Sequence, residues 1–188
     1  MIITPHKEVK HSTGKIIDVY DNLFTYREVL AFWKFITRSL YMIDEPDNFA
    51  MPLELKFYSL YSWEDTKLLG FTNHPSFLKL EEKYNFSQYQ LVQCRINLST
   101  PHQKNRIHTD EDALTLVYYV NPKWDFTWGG HTLFMDDLLQ EAEYTCIYKP
   151  GRVVIFDGTI PHMIMNESSL CPDYRLTFAI QWRTKPSS

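Results

Sequence analysis

The chain has 188 residues, 44% of them hydrophobic, with a formal net charge of -4, which fits one domain and offers no basic surface, so nucleic acid is not an expected partner. Cys94, Cys146 and Cys171 are too far apart for a zinc or disulfide pattern, the first eleven residues are polar where a secretory signal needs an apolar run, and no stretch reaches membrane-spanning length. These features predict a soluble chain in a reducing compartment, the cytoplasm, with no membrane partner.

Residues 15–20 read as a short strand closed by Asp21-Asn22 as turn residues. Thr25 and Glu28 have the capping-box spacing, and Val29, Phe32, Trp33, Phe35, Ile36 and Leu40 recur at helical intervals, which predicts a helix with one buried face. The proline-bearing stretch 41–52 reads as a loop, and 76–84, behind His74-Pro75, as a second helix. From Tyr89 the pattern becomes strand-like, over 89–98, 114–121, 131–135, 143–148, 152–156, 162–165 and 175–182. Asn121-Pro122, Gly129-Gly130, Lys149-Pro150-Gly151 and Asp157-Gly158 separate these runs as turn signals. Many short strands at regular spacing predict a sandwich or jelly roll, and the whole of 1–188 reads as a single domain, with 1–88 as helical support with flanking strands and 89–183 as the core.

In an extended segment alternate side chains share a side, so His108 and Asp110 can grip one ion while Thr109 points away. His162, opening a late strand after Pro161, is the candidate third ligand if an antiparallel fold brings it across. Two imidazoles and a carboxylate on one face of an ion leave the other face open, the arrangement suited to Fe(II) that must bind a co-substrate and dioxygen. The second signal is parity. Leu176, Phe178, Ile180 and Trp182 form an apolar face that must pack under the helices, which turns Arg175, Thr177, Ala179 and Gln181 toward the sandwich interior. A lone interior guanidinium is costly unless it meets an anion, so Arg175 is read as a carboxylate anchor, with Arg152 and Arg183 as rivals.

Several motifs from about residue 93 to 182 resemble, in combination, those of prolyl 4-hydroxylases, especially the oxygen-sensing prolyl hydroxylases: His108-Thr109-Asp110, Tyr118-Tyr119-Val120-Asn121, Trp124-Asp125, Gly129-Gly130, Pro150-Gly151-Arg152, His162 and the Arg175 strand ending in Trp182. The resemblance implies a mainly β, double-stranded β-helix (jelly roll) fold with N-terminal supporting helices. It also implies Fe(II) as metal, 2-oxoglutarate and O2 as co-substrates with ascorbate as a reductant, and Arg175 with Tyr119 on the distal carboxylate of 2-oxoglutarate. The implied activity is a 2-oxoglutarate-dependent dioxygenase that hydroxylates an unactivated C–H bond, most naturally in a prolyl or other amino-acid residue of a peptide or protein. Two features depart from the pattern: the His162 to Arg175 interval is longer, so 166–173 must absorb an insertion, and 99–106 differs in length and composition.

Arg95, Asn97, Trp124, Trp128 and His131 are expected on the substrate side, and Phe156 as a wall of the site. His131 is kept out of the metal set. Glu111 and Asp112 read as a solvated turn, and His6, His11, His74 and His102 have no partner at metal spacing. Two other readings stay open: the same chemistry on a free small molecule, and a cupin-like binding or isomerase module, which usually shows a His-x-His pair absent here and has no use for Arg175.

Overall fold

The computed structural model describes residues 3–44, 56–101, 103, 105–110 and 113–185. Within them the chain runs β1 (Lys7–Lys10), β2 (Ile16–Tyr20), α1 (Tyr26–Ile36), β3 (Met42–Asp44), β4 (Lys56–Tyr61), α2 (Trp63–Leu68), α3 (Pro75–Tyr84), β5 (Tyr89–Ser99), β6 (Ala113–Tyr119), β7 (Thr132–Met135), β8 (Ala142–Cys146), β9 (Val153–Asp157), β10 (His162–Ile164) and β11 (Arg175–Thr184). The seven strands expected from residue 89 onward all form, each within two residues of its expected limits.

Helix α1 starts where the capping box places it. The Thr25 hydroxyl accepts from the Glu28 N–H, and the Glu28 carboxylate accepts from the Thr25 N–H at 2.7 Å. Two amides left open by a helix start are thereby satisfied, a contribution of about 1 kcal/mol. Val29, Phe32 and Ile36 are buried, whereas Phe35 faces outward and Leu40 lies beyond the helix end, so these two expected core positions are exposed.

Eight strands form one antiparallel sheet in the order β1-β2-β9-β6-β11-β5-β4-β3, and three form a second in the order β10-β7-β8. The segment at His108 joins the small sheet through an antiparallel bridge to His162. These sheets are the two layers of a jelly roll. The first half of the chain does more than support it, because β1 and β2 extend one edge of the large sheet and β4 and β3 the other. β3 falls within the stretch read as a loop. It exists because Met42 to Asp44 pair with Tyr58 to Lys56, a non-local contact that no local pattern announces. Residues 45–52 of that stretch lie outside the described residues.

The alternation along β11 sorts the interior. Leu176, Phe178, Ile180 and Trp182 share an apolar cluster with Phe32 and Ile36 of α1 and Phe77 and Leu80 of α3, so the helices cover this face of the large sheet. A second cluster, including Ile17, Val19, Tyr119, Phe134, Val154 and Phe156, fills the space between the sheets. Phe178 is 0% exposed and meets Phe71 edge-on at 4.9 Å and Phe32 at 5.7 Å. Phe178→Ala should therefore lower stability by about 3–5 kcal/mol, read as a shift of the denaturant midpoint. A loss below about 1 kcal/mol would show that helices and sheet do not depend on this cluster.

Candidate metal centre

Two backbone hydrogen bonds tie the His108 segment to β10: His108 N–H to His162 O at 3.0 Å and His162 N–H to His108 O at 2.9 Å. The imidazoles consequently face each other, with ring centroids 4.4 Å apart. Asp110, whose N–H is held by Gly158 O at 2.7 Å, places Oδ1 3.9 Å from His108 Nε2 and Oδ2 3.6 Å from His162 Nε2. One ligand atom from each of the three residues lies within 4.8 Å of the others, a group that could hold a metal ion.

The far side of each ring fixes the tautomer of the neutral imidazole. His108 Nδ1 lies 3.0 Å from Arg106 O, and His162 Nδ1 2.9 Å from Ile160 O. A carbonyl can only accept, so both Nδ1 atoms carry the hydrogen and both Nε2 lone pairs are left for a cation. Burial holds His162 below the usual histidine range, against the opposing pull of Asp110, which keeps Nε2 free of a proton. The Thr115 hydroxyl donates to Asp110 Oδ2 at 2.8 Å, and the Phe156 ring stands 4.8 Å from the His162 ring, in the walling position expected of it.

Along β6, Thr115, Val117 and Tyr119 share one face, running from the carboxylate of Asp110 to a second polar corner. Arg175 sits there, 1% exposed. Its Nε donates to Gly130 O at 2.6 Å, while Nη1 is buried without a hydrogen-bond partner. The rings of Tyr148 and Tyr119 lie 5.3 and 5.7 Å from the guanidinium carbon. A buried guanidinium with an N–H left over costs several kcal/mol unless an anion meets it, so this corner fits the carboxylate of a ligand. Tyr119, 0% exposed, donates to Thr132 at 2.8 Å and stacks on Tyr148 at 4.5 Å; burial pushes its phenol far up, so it stays a neutral donor.

The rival arginines are engaged elsewhere. Arg152 donates to Asp21 at 2.7 and 3.0 Å, and Arg183 is exposed and donates to Gln90 at 3.1 Å. The Gly129-Gly130 pair also does more than turn the chain. Gly130 has φ +70, and a Cβ there would stand 2.9 Å from Arg175 Cδ and 3.1 Å from the Trp124 ring, so only glycine lets the arginine approach.

A cleft of about 620 Å³ opens beside the metal group, and its lining includes His108, Asp110, Arg95, Asn97, Gln93 and Gln181. Arg95 and Asn97, two of the residues expected on the substrate side, line this cleft. Trp124, Trp128 and His131 do not line it. Trp124 donates to Gly129 O and packs against Tyr148 at 4.4 Å and Trp128 at 5.5 Å, next to the arginine corner. His131 is 4% exposed, stacks on Phe126 and accepts from the Tyr148 N–H at 3.1 Å; burial, and then the Arg175 charge, hold it below the usual histidine range. It is an interior residue, because the bend that opens β7 folds its ring inward. Among the remaining histidines, His11 contacts Met135 O, His74 caps α3 and His6 lies 3.8 Å from Asp21. His102, Glu111 and Asp112 lie outside the described residues.

Several site residues carried no recognised signal. Gln93 alternates in phase with Arg95 and Asn97, so parity could have found it, as it placed Gln181 on the face of Arg175. Tyr148, Thr132 and Glu167, which complete the arginine corner, could not be found this way because they come from connections and short strands.

No family model matches the chain. Over 84 residues it is 29% identical to mouse ectonucleotide pyrophosphatase/phosphodiesterase family member 3, a match covering 44% of this chain and 9% of that protein. So small a share of the relative carries no activity across. The fold has many solved likenesses. A prolyl-4-hydroxylase from Pseudomonas putida superposes with TM-score 0.63 at 15% identity, covering 90% of this chain and 92% of that one. A 2OG-Fe(II) oxygenase family protein from Burkholderia pseudomallei gives 0.67 at 9% identity over 89% and 84%, and the non-heme alpha ketoglutarate dependent carbocyclase SnoK of nogalamycin biosynthesis gives 0.65 at 14% over 88% and 78%. The chain therefore has the jelly-roll fold of the Fe(II)- and 2-oxoglutarate-dependent oxygenases. The prolyl hydroxylases indicated by its sequence motifs are among the proteins that share it.

Proposed function

We propose that the chain, acting as one domain, is an Fe(II)- and 2-oxoglutarate-dependent dioxygenase that hydroxylates an unactivated C–H bond. The observation that carries this reading is the pairing of two sites in one sandwich: a His-Asp-His group with both Nε2 lone pairs free, and a buried arginine with an N–H left over. His108, Asp110 and His162 would hold the iron, and Arg175 with Tyr119 the distal carboxylate of 2-oxoglutarate. The bound iron supplies the oxidising chemistry, in which 2-oxoglutarate and dioxygen give succinate, carbon dioxide and one oxygen atom to the substrate; ascorbate would serve as reductant. The protein holds the His162 imidazole below the usual histidine range, fixes the carboxylate through Thr115, and buries the anchor so that a single dicarboxylate orientation is favoured.

The favoured substrate is a prolyl or other amino-acid residue of a peptide or protein, supported by the motif resemblance and the prolyl-4-hydroxylase likeness. A cleft of about 620 Å³ with amide and guanidinium walls suits a side chain together with its flanking peptide groups. The likeness to SnoK, which acts in nogalamycin biosynthesis, supports a free small molecule as the second reading. Among the described residues no helix is long and apolar enough to cross a membrane. A cytoplasmic setting is part of the proposal, supported by three free cysteines, Cys94, Cys146 and Cys171.

Anaerobic addition of Fe(II) and 2-oxoglutarate should produce a metal-to-ligand charge-transfer absorption band, lost in His108→Ala. No band, or one unchanged in that variant, would sink the proposal. Succinate release across proline-containing peptides, free amino acids and other small molecules then separates the two substrate readings.

A further inference from the structure

The connection between His162 and Arg175 carries a buried acid. Glu167 is 4% exposed, and neither of its carboxylate oxygens has a hydrogen-bond partner. It lies in the connection between β10 and β11. Its backbone is fixed by an antiparallel bridge to Gly129 and by the Ser168 N–H on Trp128 O at 2.8 Å. Gly129 precedes Gly130, whose carbonyl holds Arg175 Nε, so acid and guanidinium share one corner of the sandwich. Burial lifts the Glu167 carboxyl above its usual range, and Arg175 opposes the lift. No hydrogen bond joins the two, and Arg175 Nη1 is itself unpartnered.

The other titratable groups that reach this corner are Tyr119, Tyr148 and Cys171, all raised by burial, and His131, which burial holds below the usual histidine range. Arg175 is thus the one cation felt by Glu167 among the described residues. One guanidinium can balance one buried carboxylate. Bringing in a second would leave net negative charge in a desolvated site, and the least costly relief is a proton on one of the acids. Protonated, Glu167 changes from acceptor to O–H donor, which is what a neighbouring carboxylate accepts.

We propose that Glu167 is a positioning residue for the co-substrate, ionised beside Arg175 in the free site and protonated when the distal carboxylate of 2-oxoglutarate is held there, so that binding takes up a proton from solvent. This rests on the oxygenase reading above. The sign follows from linkage: Glu167 has a higher pKa with the ligand bound than without it, so affinity falls as pH rises through the window between the two values.

The test is titration calorimetry of the Mn(II)-loaded protein with 2-oxoglutarate, in buffers of different ionisation heat, from about pH 6 to about pH 9. The metal occupies the histidines, so they exchange no protons. The native protein should take up about one proton per ligand, with affinity weakening about tenfold per pH unit inside the window. Glu167→Gln, which keeps a donor without the charge, should show no uptake and a flat profile. 2-Oxobutyrate, lacking the distal carboxylate, should bind without uptake in both proteins. Binding of 2-oxoglutarate to the native protein without proton uptake overturns the inference alone, as does uptake that persists in Glu167→Gln. No binding of either 2-oxo acid overturns the oxygenase reading and this inference with it. Should Glu167→Gln fail to fold, the contrast between the two ligands on the native protein decides.

Discussion

Asp110→Asn is expected to weaken Fe(II) or Mn(II) binding by about 100-fold or more while leaving the fold in place. Asp110 is the only anion of the three candidate ligands, its two oxygens facing His108 Nε2 at 3.9 Å and His162 Nε2 at 3.6 Å. An amide has nearly the same shape, and Thr115 can still hydrogen-bond to it, so packing does not change. What disappears is the negative charge that offsets the desolvation of a divalent cation beside the buried His162 imidazole, which Phe134 and Phe156 flank. Changing groups that merely orient ligands commonly costs 10–100-fold, so loss of a charged ligand should reach at least the top of that range. Competition against a chelator of known affinity measures it, and thermal unfolding without metal shows whether the fold is intact. A metal affinity within about threefold of the parent's would remove Asp110 from the ligand set.

The site was legible in the sequence to the extent that it obeys local periodicity. His108 and Asp110 share a side because strand geometry makes alternate residues do so, and Arg175 faces inward because Leu176, Phe178, Ile180 and Trp182 are drawn beneath the helices. His162 depended on topology: only the bridge from its strand to the His108 segment brings the rings together. The same limit applies to β3 and β4, which are strands because they pair with each other and with β5, although their own residues do not alternate clearly. Residues in connections were the least legible. Trp124 and Trp128 precede, and His131 follows, the positive-φ pair Gly129 and Gly130, where the chain turns toward the arginine corner and away from the cleft, and that direction cannot be read from composition. The carbonyls of Arg106 and Ile160 that lock the imidazoles belong to the backbone, so no residue type encodes them.

Arg175→Ala should weaken 2-oxoglutarate binding by about 100-fold or more and leave metal affinity unchanged, because it removes a charged hydrogen-bond partner worth about 3 kcal/mol. The same change should also destabilise the protein. Without the guanidinium, Glu167 keeps the burial that raises its carboxyl and loses the charge that offsets it, and a buried charge stripped of its partner typically costs about 3–5 kcal/mol. The two effects separate in the double variant Arg175→Ala with Glu167→Gln, which should recover part of the stability and none of the dicarboxylate affinity. Arg175→Lys keeps a positive charge but loses both the Nε contact to Gly130 and the planar fork between Tyr148 and Tyr119, so it should restore only part of the binding. Calorimetry of the metal-loaded variants gives binding, and denaturant unfolding gives stability. Parent-like affinity for 2-oxoglutarate in Arg175→Ala would remove the anchor from this corner of the fold and send the search to Arg183, the other arginine of β11 and one that lines the cleft.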